Sequence, residues 1–396
     1  MKYNYEKILN DIDNKHIRLG QEIEDYKYRL SYIDVDLKNI AENFFFIKEK
    51  VKNKKVMAIV KANAYGHGLL YTSLFLQAVG VDFFGTAFLE EAIALRNNGI
   101  TKPILMLGGF VPSQIENFIE HDIDITASSV DKLDAINEVA GLLGKKARVH
   151  LKIDTGMERI GPHYYSAEKL LNKSLETKNC EVVGIFSHFA KSETDSELTK
   201  LQLERFLEVL TFYDKHSLPY PIRHIANSGA ILNFEDSYLD MVRPGAILYG
   251  INPDENVFKN LNIKVALSLK SKIVYFKVVR ANTGISYGHT YITPEQTRVV
   301  TIPIGYGDGF SRLLSNKASV IIRGKKCPIV GNICMDQCMV NIGPNGEGYN
   351  DDEVILIGKQ GNNEITVNEI ANLIGTDPRD ILVSLNSRIP RRYNVT

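Results

Sequence analysis

The sequence has no tryptophan and only four cysteines among 396 residues. So few thiols exclude a disulfide scaffold and fit a reducing compartment, with the cytoplasm as the expected location. An excess of charge of either sign is also missing, since 47 Lys and Arg balance 47 Asp and Glu. A neutral chain offers no global field for nucleic acid or for an anionic membrane surface, and neither is expected as a partner. No apolar run approaches the roughly 18 residues that a membrane-spanning helix needs. The N-terminal stretch "MKYNYEKILNDIDNKHIRLGQEIEDYKYR" lacks the uninterrupted apolar segment of a signal peptide. Low-complexity tracts and repeats of solenoid period are lacking as well. Cys327, Cys334 and Cys338 crowd together, but not at the spacing of a paired C-x-x-C site, and no histidine follows Cys338. They read as strand residues, and no metal site is expected.

What is present is core. The 44% hydrophobic content supports one large domain and a smaller one. Within an N-terminal extension, residues 1–31, Tyr5, Ile8, Leu9 and Ile12 recur at helical spacing and predict a short amphipathic helix. From Ile33 onward, short β-rich runs fall at 33–37, 56–60, 82–85, 103–107, 123–127, 148–153, 182–186, 222–225 and 239–242. Helical patterns such as "FLEEAIALRNNG" and "SELTKLQLERFLEVLTFYDKH" lie between most of them. About eight strand–helix units in roughly 220 residues argue for an α/β architecture, a (β/α)8 TIM-like barrel over residues 32–255. A doubly wound open sheet is the second choice. Past Gly250 the pattern changes to strands joined by Gly-, Asn- and Pro-containing turns, with two short helices near the end. That predicts a mostly β C-terminal domain over 256–396.

The apolar strand Val56–Val60 ends in Lys61, followed by a crowded turn of Asn63, Tyr65, Gly66, His67 and Gly68. Barrel chemistry sits at the C-terminal ends of strands. A lysine shielded from water there becomes a nucleophilic amine able to condense with an aldehyde. Position alone favours a lysine snorkelling into solvent. Other strand ends add to the picture. "HIANSGA" sets Asn227 and Ser228 between a strand and a helix, where amides and a hydroxyl can hold phosphate. "MVRPGAILYG" supplies Arg243 and Gly245, and "VHLKIDTGMERIG" supplies Lys152, Asp154 and Arg159. An amine with phosphate cradles points to pyridoxal phosphate. Gly305, Gly307 and Gly309 look like half a dinucleotide fingerprint, but the remainder of that fingerprint is missing.

In order along the chain, "AIVKANAYGHG", "DTGMERIG", "HIANSGA", "MVRPGAILYG", "SYGHTY", "IPIGYGDGF" and "GNICMDQCMV" resemble the successive motifs of the alanine racemase family. The resemblance runs from about Ser31 to the C-terminus. It implies a pyridoxal-phosphate-dependent, fold-type III racemase that interconverts L-alanine and D-alanine by two-base proton transfer, supplying D-alanine for cell-wall peptidoglycan. It also implies a homodimer with shared active sites and a small amino-acid substrate. By the same resemblance Lys61 carries the cofactor and serves as one catalytic base. Tyr287 is the other base, reaching the partner subunit's site. Tyr65, Ser228 and the backbone near Gly245, with neighbouring Asn227, resemble the phosphate-binding set. His188 and His224 resemble the histidines that pack the cofactor and support the tyrosine. Arg243 resembles the partner of the pyridine nitrogen, and Arg159 the residue that holds the substrate carboxylate. Tyr306 and Met335 resemble the contributors that border the substrate's route from the second subunit. Lys152 matches a position that is carbamylated in some family members.

These residue types suit the chemistry. Racemisation needs an acid and a base on opposite faces of the α-carbon. An arginine at the pyridine nitrogen donates a hydrogen bond but does not readily give up a proton, which restrains the ring as an electron sink and disfavours transamination. Ordinary readings also exist: core histidines for His188 and His224, strand surface for Tyr287, and a loop cap for Asp154. Two departures from the family pattern are visible. Tyr32 stands where tryptophan is common, and Ser387 stands where a tyrosine borders phosphate and substrate. Ser387 keeps open a racemase of serine or broader range. A non-catalytic pyridoxal-phosphate-binding homeostasis protein is the alternative of another class, and the β domain bearing Tyr287 argues against it.

Overall fold

Nine β-rich runs are one too many for an eight-stranded barrel, and a computed structural model, describing residues 3–15 and 28–396, shows which one lies outside it. The barrel strands are β2 (Lys55–Ile59), β3 (Phe83–Thr86), β4 (Ile104–Met106), β5 (Asp124–Ala127), β6 (Ala147–Lys152), β7 (Cys180–Phe186), β8 (Ile222–His224) and β9 (Met241–Val242). They pair in the order β8-β7-β6-β5-β4-β3-β2-β9, every neighbour parallel. Backbone bonds from Asp240 N to Arg223 O (3.1 Å) and from Arg243 N to Ala226 O (2.9 Å) join β9 to β8 and close the ring. Parallel strands covered by helices are buried on both faces. β3 and β5 show this, with every residue buried.

The run 33–37 behaves differently. As β1 (Tyr32–Asp36), it pairs antiparallel with β10 (Leu267–Lys272) and parallel with β20 (Arg391–Asn394), outside the barrel. Its burial alternates, with Ile33 and Val35 inside and Tyr32, Asp34 and Asp36 partly exposed. Such one-sided burial suits a sheet with one solvated face. The Lys270 Nζ to Asp34 Oδ2 bond (2.7 Å) ties that face across the pair.

Helices follow the strands as expected. They are α2 (Leu37–Val51), α3 (Leu69–Ala78), α4 (Leu89–Asn97), α5 (Ile115–Glu120), α6 (Val130–Leu142), α7 (Glu168–Glu176), α8 (Ser196–Lys215) and α9 (Ser228–Asn233). In α8, Leu203, Phe206, Leu210 and Tyr213 bury one face at helical spacing, and Asp195 caps the start by accepting from Leu198 N. The barrel unit comprises Ile40–Ala64 and Leu69–Lys264.

The second unit takes in the chain up to Asn39, Tyr65–Gly68 and Val265–Thr396. Its N-terminal helix α1 (Tyr5–Lys15) forms where the spacing predicts it, with Ile12 buried. The extension from 16 to 27 lies outside the described residues. Strands β11 (Tyr275–Val279), β14 (Thr297–Ile302) and β17 (Cys338–Gly343) form a three-stranded sheet. β12 (Gly284–Ile285) and β13 (Tyr291–Ile292) form a hairpin. The third sheet, of seven strands, combines β1, β10 and β20 with β15 (Ser319–Ile322), β16 (Lys325–Pro328), β18 (Glu353–Gln360) and β19 (Asn363–Ile365). The two late helices are α10 (Val367–Ile374) and α11 (Pro378–Ser384). Cys327 and Cys338 are buried on β16 and β17. Among the described residues, no helix is long and apolar enough to cross a membrane.

Candidate active site

Lys61 follows β2, where Val60 N donates to Gly85 O (2.9 Å) and the Tyr249 hydroxyl donates to Ile59 O (2.8 Å). The backbone then turns left-handed at four successive residues: Ala62, Asn63, Ala64 and Tyr65 have φ of 53°, 56°, 53° and 53°. Such a turn costs about 1–2 kcal/mol per L-residue. Two side chains hold it. Glu91, in the first turn of α4, accepts from Ala62 N (2.7 Å) and from Ala87 N (3.0 Å), and Asn63 Oδ1 accepts from Leu69 N (2.7 Å) at the start of α3. The crowded turn after Lys61 is thus a braced, strained one. Sequence reasoning passed over Glu91, which looks like an ordinary glutamate in a helix's first turn.

Other strand ends converge on His188. Burial, followed by Arg243, Arg159, Lys152 and Lys61 in that order, holds its imidazole well below the ordinary range, so it is neutral. Four basic residues from three strand ends, those of β2, β6 and β9, therefore act on one imidazole. Arg243 is 3% exposed. Its Nη2 donates to Ser187 O (2.7 Å) and lies 3.1 Å from His188 Nδ1. Burial, then Arg159, pushes its guanidinium down to about 9, which leaves it cationic at neutral pH. Lys152 is equally enclosed and donates from Nζ to Ile153 O (2.6 Å). Burial pushes its amine down to about 7; Asp154 opposes this, and Arg243 and Arg159 add to it. Asp154 does cap a loop, accepting from Gly156 N (2.7 Å), Met157 N (3.0 Å) and Arg159 N (3.2 Å), and so shapes the segment that presents Arg159.

Two members expected to hold phosphate, Ser228 and the Gly245 backbone, are bonded to each other, with Asn227 capping the adjoining helix. Ser228 Oγ accepts from Gly245 N (3.0 Å), and Asn227 Oδ1 accepts from Ala230 N (3.2 Å) and Ser192 Oγ (2.6 Å). His224 is fully buried, stacked on Phe186 with ring centroids 4.9 Å apart, and its Nδ1 lies 2.9 Å from Arg243. Behind it stand His150 and Asp124, neither singled out by the sequence.

In the second unit, Tyr65 lies within the electrostatic reach of Asp377 and Arg379. Burial raises its phenol above the ordinary value, Arg379 opposes and Asp377 adds, so the hydroxyl is a neutral donor. Tyr287 is 73% exposed on the short turn Tyr287–His289. Asn332 Nδ2 donates to its carbonyl (2.7 Å), while Ser286 Oγ donates to Asn332 O (2.5 Å). Tyr306 and Met335 are also exposed, on loops joined by Tyr306 N to Cys334 O (3.1 Å) and Gly307 N to Met335 O (2.8 Å). Buried Asp308 fixes this loop, accepting from Arg29 (2.7 Å) and from Gly305 N (3.1 Å). Ser387 is exposed between Asn386, which donates to Gly307 O (2.8 Å), and Arg388, which pairs with Asp336 (2.5 Å). Arg29 and Asp308 were not legible as a pair, since they lie far apart in the chain.

An amine at a strand end, several basic side chains and a hydroxyl bonded to a backbone amide are groups that an aldehyde cofactor bearing phosphate would use. The family model for the alanine racemase N-terminal domain matches residues 35–253, and that for the alanine racemase C-terminal domain matches 266–393. Alanine racemase 2 of Caldanaerobacter subterraneus subsp. tengcongensis is 44% identical over 369 residues, 92% of this chain and 95% of its own. The solved alanine racemase of Clostridium difficile 630 matches with a TM-score of 0.87 at 37% identity, covering 92% of this chain and 96% of that one. The alanine racemase of Bartonella henselae, solved with covalently bound pyridoxal phosphate, matches with a TM-score of 0.83 at 30% identity, covering 92% and 99%. On the strand-end chemistry and these matches together, this chain belongs to the alanine racemase family.

Proposed function

We propose that the chain is a pyridoxal-phosphate-dependent alanine racemase acting as a homodimer in the cytoplasm, with Lys61 and Tyr287 as its two bases. One observation carries the reading: buried Arg243 lies 3.1 Å from His188 Nδ1, a ring held neutral by burial and by the surrounding positive charges of Arg243, Arg159, Lys152 and Lys61. That field suits a ligand with a phosphate and a substrate with a carboxylate. When bound, the cofactor delocalises charge at the substrate α-carbon. Ser228, Asn227, Tyr65 and the Gly245 backbone would hold its phosphate, and Arg243 would donate to its ring nitrogen without giving up a proton. Arg159 would bind the substrate carboxylate. The Lys61 amine and the Tyr287 phenol would hold and return protons on opposite faces. Tyr306 and Met335 would border the substrate's route from the second subunit.

Lys152 has a further role in this reading. A neutral amine can attack carbon dioxide, forming an N–C bond and releasing a proton. The resulting carbamate would put an anion in place of the buried amine, within the field of Arg243 and Arg159. Sodium borohydride should fix the pyridoxyl group of the holoenzyme to the peptide bearing Lys61. Fixation at Lys152 instead would overturn the assignment.

A second reading concerns range. Serine at 387, exposed beside the Tyr306 loop, leaves out a phenol and a ring. A lost hydrogen bond to a charged phosphate costs about 1.5–3 kcal/mol if nothing replaces it. A wider pocket also discriminates weakly against an added hydroxyl. Measurable serine racemisation is therefore expected beside that of alanine. Ser387→Tyr should lower the serine-to-alanine ratio of kcat/KM; an unchanged ratio and unchanged cofactor affinity would remove Ser387 as the determinant.

A further inference from the structure

The geometry points to His150 and Asp124 as positioning residues for Arg243, the far end of a buried relay that fixes how the guanidinium faces the mouth. The inference rests on the reading that Arg243 partners the cofactor ring. The relay crosses the barrel interior from β5 to the end of β9. Asp124 Oδ2 lies 3.2 Å from His150 Nε2, His150 Nδ1 lies 3.0 Å from His224 Nε2, and His224 Nδ1 lies 2.9 Å from Arg243 Nη1. All four side chains are buried, both histidines completely.

Only one polarity satisfies these contacts with neutral rings. A guanidinium donates and never accepts, so His224 Nδ1 must be bare and its proton must sit on Nε2. That N–H points at His150 Nδ1, which must then be bare in turn. His150 consequently carries its proton on Nε2 and donates to Asp124, whose ionised carboxylate only accepts. Each imidazole is a one-way link, and the negative end of the chain is Asp124. Burial, then Arg243, keeps His224 well below the ordinary imidazole range, in agreement with a neutral link. Burial raises the Asp124 carboxyl, but hydrogen bonds from His150 and Arg148 outweigh it and leave the group below its usual value.

The barrel is built around this line. A Cβ on Gly184 would overlap His150 Nδ1, the atom that must accept, so glycine makes room for the link. Phe83 and Phe186 set the plane of the His150 ring edge-on, at centroid distances of 6.4 and 6.5 Å. Arg148 Nε donates to Asp124 Oδ1 (2.8 Å) and anchors the carboxylate from outside. If His224 carried its proton on Nδ1, it would meet Arg243 donor to donor and drive the guanidinium off its line.

The test uses the native holoenzyme and two variants. Nitrogen-15 NMR of the imidazoles in native protein should show His150 and His224 neutral and protonated at Nε2; a proton on His224 Nδ1 overturns the relay and requires no variant. His150→Leu removes both links and should lower kcat by about a hundredfold through misplacement of Arg243, with KM within about threefold and an altered absorption maximum of the bound cofactor. His150→Gln keeps one acceptor and one donor at similar separation and should recover most of kcat and the native absorption. Unchanged kcat in His150→Leu, or equal impairment of the two variants, overturns the positioning role. Loss of pyridoxyl labelling at Lys61 in native protein would instead break the reading of the site while leaving the proton positions to stand or fall by NMR.

Discussion

The two units present their candidate site residues differently. In the barrel Arg243 and Lys152 are each 3% exposed and Arg243 is tied to His224 and His188, whereas Lys61 is half-buried and Arg159 exposed. In the second unit, Tyr287, Tyr306 and Met335 stand at 73%, 42% and 53% exposure, on loops braced from behind by Asn332 and Asp308. The barrel tunes its groups by taking them out of water, which one chain can do alone and at a cost in stability. The exposed set is held in place but not yet enclosed. In the homodimer proposed above, the exposed residues of one subunit would serve the barrel residues of the other.

If this is right, substitutions should separate activity from stability differently in the two units. Tyr287→Phe keeps the ring and removes the hydroxyl, so kcat should fall by about 10²–10⁴-fold while stability stays within about 0.5 kcal/mol of native. A small loss of rate would break the comparison on the β side; steady-state kinetics beside thermal unfolding decides it.

Lys152 gives the converse. Its amine titrates near 7 in the fold, against about 10.4 when unfolded. Between those values the unfolded chain binds the extra proton. The contribution is therefore fully present above about pH 10.4 and lost as pH falls through 7, a slope of up to about 1.4 kcal/mol per pH unit. Lys152→Met should flatten unfolding free energy against pH over that window, measured in carbon-dioxide-free buffer. Parallel profiles for the two proteins would mean that the amine is not held in the neutral state.

What the sequence made legible was position along a strand. Lys61, Lys152 and Arg243 fall where an apolar run ends, with Arg159 and Ser228 in the segments that follow β6 and β8. Position across the barrel was not legible, because Asp124 and His150 meet only after β5, β6 and β8 take their places in the ring. A carboxylate inside the run "IDITA" was nonetheless a signal of the same kind as Lys61. The misplaced run 33–37 carried its own signal too: "YIDVD" alternates apolar and polar, whereas a barrel strand has no solvated face. Glu91 offered no such mark, since its role depends on a left-handed turn that no local propensity favours.

The most direct test of the shared site is complementation between two inactive variants, Lys61→Ala and Tyr287→Phe. Mixed under conditions where subunits exchange, half of the dimers should be hybrids, each with one intact site, and about a quarter of native activity should return. Demonstrated exchange with no return of activity would contradict the account, because each subunit would then have to supply both bases to its own site.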